Sequence, residues 1–164
     1  MARTDNAVVI GAPLEFVWER MNDIEEWPQL FSEYAEASIL ERRGDTVRFR
    51  LTTHPDPEHD GTVWSWLSER TADPATHTTR AHRIETGPFQ YMRIGWSFAA
   101  VPEGTLMRWT QEFTMKPTAP AGDEQAEDYL NRNTRKQMGV IKERLERVLA
   151  GGGDRPSAAA ATAG

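Results

Sequence analysis

The sequence predicts an α+β protein in which a curved, antiparallel sheet of seven strands grips one long C-terminal helix. Three observations carry that expectation. Between Ala35 and Lys116 apolar residues recur with period two in about six short runs, roughly 35–43, 46–54, 62–72, 76–86, 91–101 and 105–116. Turn residues separate them: Gly44-Asp45, the segment HPDPEHDG, Asp73-Pro74, Gly87-Pro88 and Glu103-Gly104. Turns this closely spaced make hairpins, so the sheet is expected to be antiparallel. From Glu124 to Ala150 the period changes, and Leu130, Thr134, Met138, Ile141, Leu145 and Val148 recur at helical spacing. Such a helix spans roughly 40 Å at about 1.5 Å per residue, enough to cross a small sheet. Finally, the β-branched run TDNAVVIGA supplies a first strand ahead of the others.

Two short helices are expected after that strand. Pro13 has the backbone angle a first helical turn requires, and LEFVWERMND continues with Phe16, Val17, Met21 and Ile24 as an apolar stripe. Trp27-Pro28 interrupts it, and PQLFSEY suits one further helical turn. Residues 1–150 therefore read as one domain. The remainder, residues 151–164, is small-residue, low-complexity sequence that buries too little to offset its ordering cost, and is expected to be a disordered tail.

Composition narrows the function. With 19 basic and 25 acidic side chains the net charge is −6, and no basic block marks a nucleic-acid footprint, so nucleic acid is not an expected partner. The absence of cysteine excludes disulfides, thiolate metal sites and thiol nucleophiles. His54 and His59 flank PDPE, His77 sits near a turn and His82 faces oppositely to Arg83; none has a partner at metal-ligand spacing, so no metal is expected. Neither a nucleophile elbow nor a phosphate- or dinucleotide-binding glycine loop is present, so no cofactor is expected. MARTDNAVVIGAP lacks the apolar core of a signal peptide, and no run is long enough to span a membrane, which makes a soluble cytoplasmic protein the expectation.

Polar residues on apolar strand faces point to a chamber. In TVWSWLSER, Trp64, Trp66, Ser68 and Arg70 share one face, so a permanent cation lies in line with two indoles. In TLMRWTQEFTM, Gln111 is the polar member of a face made by Met107, Trp109, Phe113 and Met115. Met92, Ile94, Trp96 and Phe98 face together on the preceding strand, and Asn133 lies at the margin of the helical stripe. Taken singly, Gln111 and Asn133 read first as satisfied core amides and the aromatic stripes first as plain core, while Arg70 reads equally as a snorkelling side chain. Taken together, Arg70, Gln111 and Asn133 come from three elements and are expected to converge on one volume.

The blocks Thr4-Asp5-Asn6, NDIEEWPQLFSEYAEA, RAHRIETGPFQYM and MRWTQEFTMKP resemble the single-domain aromatase/cyclases of bacterial type II polyketide synthases, those of the tetracenomycin and spore-pigment types. The resemblance runs from about Thr4 to near residue 149. It implies a helix-grip fold (START/Bet v 1-like) with an interior pocket between sheet and long helix. It also implies an activity in antibiotic or spore-pigment biosynthesis: regiospecific first-ring cyclisation, of C9–C14 type, and dehydrative aromatisation of a poly-β-ketone carried on an acyl carrier protein by a phosphopantetheine arm. The ketosynthase/chain-length factor of the minimal synthase would be a second partner; no membrane is implied. Carried over residue by residue, the family's pocket arginine corresponds to Arg70, with Ser68 beside it, its tyrosine to Tyr34, its glutamine to Gln111 and its helix asparagine to Asn133.

On that basis Arg70 would stabilise the developing enolate or alkoxide, Tyr34 would donate or relay a proton, and Gln111, Asn133 and Ser68 would position ketones or a water. Trp27, Phe31, Trp64, Trp66, Phe89, Met92, Trp96 and Trp109 would wall the chamber, with Arg83 at its mouth toward a phosphate of the tether. The exposed group Arg42, Arg43 and Arg48 would suit an acidic carrier protein. Similar cyclases of other ring specificity use histidine and aspartate where this chain has Gln111 and Asn133, which implies a site without a dedicated carboxylate or imidazole base. A non-catalytic carrier or chaperone of hydrophobic ligands, and a structural subunit of the synthase, are the competing readings.

Overall fold

The computed structural model describes residues 1–151. One sheet carries all seven strands: β1 (Ala2–Ile10), β2 (Tyr34–Arg43), β3 (Thr46–Thr53), β4 (Ser65–Asp73), β5 (Thr78–Arg83), β6 (Phe89–Val101) and β7 (Gly104–Met115). Every pairing is antiparallel and the order is β1-β7-β6-β5-β4-β3-β2, so the first strand joins the last across register Ala2–Phe113 to Ile10–Thr105. Helices α1 (Leu14–Asn22) and α2 (Trp27–Leu30), with a 3-10 turn at Ile24–Glu26 between them, cover one end of the concave face. The long helix α3 (Asp123–Ala150) lies across that face. The expected tail falls on residues 152–164, which lie outside the described residues, apart from Gly151.

Curvature has local causes. Register shifts at Tyr34–Glu36 and Ile39–Glu41 in β2, and at Phe89–Tyr91 in β6, insert bulges that bend the strands. At the β6–β7 hairpin, Gly104 has φ 142°, and a Cβ there would lie 2.1 Å from the Ile10 carbonyl oxygen. Only glycine lets this hairpin close against the end of β1.

The strand faces follow the period-two expectation. On β7, Met107, Trp109, Gln111 and Phe113 are buried; on β6, Met92, Trp96 and Phe98 are buried while Arg93 is exposed. Three details differ. Pro13 is the residue that precedes the helix rather than part of its first turn. On α1, Trp18 is buried and Phe16 only half-buried, because Trp18 packs edge-on against Phe98 of β6. The expected strand 62–72 begins at Ser65: Asp56 bridges to Thr62, and Thr53 bonds Trp64 through backbone and hydroxyl, which keeps 54–64 folded as a loop.

The main core joins α1, α2 and the second half of α3 to the sheet, with Ile10, Val17, Met21, Met107, Ile141 and Leu145 fully buried. A smaller cluster, Ala2, Phe89, Met92, Phe113 and Ala126, closes the sheet against the start of α3.

Candidate active site

Between the sheet and the first half of α3 lies a cavity of about 410 Å³, within the usual size of small-molecule sites. Its mouth is framed by the 54–64 loop, the 84–88 connection, the segment before α3 and the start of α3 itself, through His59, Trp64, Gly87, Pro88, Pro120 and Tyr129. Every residue expected at the site lines this one volume: Arg70, Tyr34, Gln111, Asn133 and Ser68, together with Trp27, Phe31, Trp64, Trp66, Arg83, Phe89, Met92, Trp96 and Trp109. Trp64 differs from its expected setting. It precedes β4, is 41% exposed and stands at the mouth beside His59, with ring centroids 6.0 Å apart.

The inner wall is aromatic. Trp27 stacks on Trp96 at 5.7 Å and Trp96 tilts against Trp109 at 5.0 Å, while Phe31 and Tyr34 sit 4.8 Å apart. Offset and edge contacts of this kind let rings meet without opposing their negative faces. Into this wall β4 projects Arg70, which is 4% exposed. Its guanidinium lies over Trp27 at 5.5 Å and Trp96 at 5.4 Å, and Nη1 donates to Asn22 Oδ1 at 2.6 Å. Nη2 is buried without a partner, as are the indole nitrogens of Trp96 and Trp109. Burial pushes the Arg70 pKa down to about 9, so it remains a cation at neutral pH. An unmatched buried donor costs about 1–3 kcal/mol, more when charged, and a guest oxygen would relieve that cost.

A second group forms where β2 begins. Asn133 Nδ2 donates to Glu33 Oε2 at 3.1 Å, and the Tyr34 phenol lies beside the same carboxyl, near enough for each to shift the other's titration. Desolvation raises the pKa of Glu33, and the neighbouring Asn133 and Tyr34 only partly oppose it. The Tyr34 phenol is held well above its ordinary range by burial first and the Glu33 charge second, so it is a neutral donor. The segment is anchored to α3: Ser32 N donates to Gln137 Oε1 at 2.9 Å, and Arg144 reaches the carbonyls of Gln29 and Phe31. Glu33 is a carboxylate of the cavity lining that sequence reasoning did not name. In FSEY it is one of two polar residues between aromatics, half-buried in the fold; only the adjacent Tyr34 could have drawn attention to it.

Gln111 and Arg83 complete the polar lining. Gln111 Oε1 accepts from Thr4 at 2.7 Å and Thr134 at 3.1 Å, two hydroxyls that sequence reasoning passed over. Arg83 stands one pleat toward the mouth from Arg70, since Ser68 pairs Arg83 and Arg70 pairs Ala81. It is sandwiched over Trp66 at 4.6 Å and Phe89 at 5.3 Å, and burial lowers its pKa to about 10. At Gly87, φ is 57° and a Cβ would stand 3.1 Å from Arg83 Nη2, so a side chain there would crowd the guanidinium.

Arg42, Arg43 and Arg48 lie elsewhere. They flank the β2–β3 hairpin, at the end of those strands away from the mouth, and Arg43 and Arg48 are ion-paired with Glu41 and Glu69. Among the described residues no three His, Asp or Glu side chains form a metal-binding group, and no helix is long and apolar enough to cross a membrane.

The chain is similar to known proteins in sequence and fold. Residues 10–138 match the family described as polyketide cyclase / dehydrase and lipid transport. A Streptomyces cyaneus protein named as a polyketide cyclase is 52% identical over 145 residues, covering 88% of this chain and 94% of that one. The Zhui aromatase/cyclase of Streptomyces sp. R1128 superposes with a TM-score of 0.79 at 21% identity, over 93% of this chain and 98% of that one. A START-superfamily protein of Mycobacterium smegmatis gives 0.67 at 17% identity, over 89% and 95%, so the fold is the helix grip. By the extent of the family match and the identity of its relative, the chain belongs to the polyketide cyclase/dehydrase family.

Proposed function

We propose that the chain is an aromatase/cyclase that takes a poly-β-ketone from an acyl carrier protein and directs first-ring, C9–C14 aldol closure and dehydrative aromatisation. The observation that supports this reading above all is Arg70, a buried cation with no carboxylate partner inside an aromatic cavity. Such a cation suits a guest rich in carbonyl oxygens. A carrier of apolar lipids would have no use for it.

The chemistry needs little acid–base strength, because a methylene between two carbonyls is already acidic. In the proposed step the methylene proton passes through the Tyr34 phenol to Glu33, while the new carbon–carbon bond turns the target ketone into an alkoxide beside Arg70. The proton then returns to that oxygen, and loss of water leads to the aromatic ring. Arg70 supplies electrostatic stabilisation; the aromatic walls select one folded chain out of many, and positioning of this kind is worth up to ~7–11 kcal/mol. Gln111, Asn133 and Ser68 would hold ketones. Arg83, at the mouth and without a carboxylate partner, would face the phosphate of the tether, and the carrier would dock around that mouth rather than at Arg42, Arg43 and Arg48.

Co-expression of Arg70→Ala with a minimal polyketide synthase tests the reading. Loss of the ring pattern with intact folding is the expected result. A lower yield with the pattern retained would favour a holding role, and an unchanged product profile would remove Arg70 from the mechanism.

A further inference from the structure

Arg70 is held by a neutral amide. Asn22 Oδ1 accepts from Nη1 at 2.6 Å, while Asn22 Nδ2 donates to the Trp18 carbonyl at 2.7 Å. The second bond fixes the amide, because with its NH₂ committed to a carbonyl, the oxygen is what remains for the guanidinium. The anchor is firm: Trp18 is wedged edge-on between His77 and Phe98, at 5.1 and 5.5 Å.

No carboxylate faces the guanidinium from any side. β3 places Val47 opposite Arg70 and β5 places Ala81. α2 and β6 present the indoles of Trp27 and Trp96. Asp23, the acid next to Asn22, is exposed and has Arg20 and Arg42 as its cationic neighbours. Buried arginines are ordinarily paired with a carboxylate, because an isolated charge is costly.

We propose that Asn22 is a positioning residue that aims Arg70 into the cavity while leaving its positive charge uncompensated for an oxygen of the guest. The inference rests on the cyclase reading of Arg70. An aspartate in the same place would fill the same volume and accept the same hydrogen bond from Arg70, but it would forfeit the donation to the Trp18 carbonyl and cancel the charge the guest is meant to meet. The two functions of the residue, aim and neutrality, therefore separate by substitution.

Both variants are tested in the full chain. Asn22→Asp should fold, its new ion pair with Arg70 offsetting the lost bond to the Trp18 carbonyl, yet lower the yield of correctly closed first ring at least about tenfold, approaching loss of a transition-state donor. Burial holds Arg70 near pKa 9, so its charge is lost as pH rises through about 9. A carboxylate at position 22 should move that alkaline limb upward, a shift that a merely structural role would not produce. Asn22→Ala should keep neutrality and lose aim: in ¹⁵N-edited spectra the Arg70 guanidinium should rotate faster than in wild type or in Asn22→Asp, and the ring products should spread. A wild-type product profile in well-folded Asn22→Asp, or unchanged guanidinium spectra in Asn22→Ala, overturns the proposal. If Arg70→Ala alone leaves the products unchanged, the cyclase reading has failed, and the guanidinium spectra still decide whether Asn22 aims the side chain.

Discussion

The two halves of α3 share one stripe and do opposite things. Toward its C-terminus, Met138, Ile141 and Leu145 are sealed into a solid core with Val17, Met21 and Ile24. Toward its N-terminus, Tyr129, Leu130, Asn133 and Thr134 roof a cavity of about 410 Å³. The helix does not cause the difference. α1, α2 and the turn between them wedge under the second half and fill the space to the sheet, whereas under the first half nothing intervenes. Where a layer is inserted the grip is dry and supplies stability; where it is missing, the curved sheet and helix enclose room for a guest.

Mutations should separate the halves. Ile141→Ala, at the packed end, should cost about 2–5 kcal/mol of stability, read as a lowered denaturation midpoint. A cost near zero would mean that this end is as loosely filled as the other. Arg70→Ala should do the reverse, lowering correct ring closure by about a hundredfold while leaving the midpoint unchanged or raised, since an incompletely matched buried charge is removed. Leu130→Ala, on the same helix face as Ile141 but over the cavity, should cost at most about 1 kcal/mol, because the site is already half open to a void; its signature should be an altered product distribution.

The smallest effect concerns Glu33. Its pKa is raised in the folded chain, mainly by desolvation, so between the unfolded and folded values the native state binds more protons than the denatured one. Its contribution is complete below the ordinary carboxylate range and is lost as pH rises through the folded value. Glu33→Gln should flatten the pH dependence of stability across that window, and an unchanged slope would show that this carboxyl is not desolvated.

Much of the fold was legible because its signals are local. Period two along Met107–Phe113, turn residues between runs and helical spacing from Leu130 to Leu145 each depend on a few neighbours in the chain. Trp18 escaped because its burial depends on Phe98, on a distant strand. The loop before Ser65 escaped because it is held by Thr53 and by its own bridge, both outside any strand pattern. At the site, Arg70 and Gln111 stood out as polar residues on apolar faces. Glu33, Asn22, Thr4 and Thr134 did not, since each takes its meaning from a partner 23 to 107 positions away, such as Thr4 on Gln111 and Thr134 on the same oxygen. The resemblance supplied Tyr34 and Asn133 as members of one site; the structure added that Asn133 bonds Glu33 and that Tyr34 stands beside it.

By itself the sequence determined the strands, the gripping helix and the cation set among indoles, because alternation and helical spacing are written residue by residue along the chain. Only the tertiary structure decided that one half of the grip is hollow, that a carboxylate stands inside it, and that Arg70 meets an amide instead of an acid. Those are matters of which distant segments fill a volume and which leave it open, and no local pattern encodes the space between them.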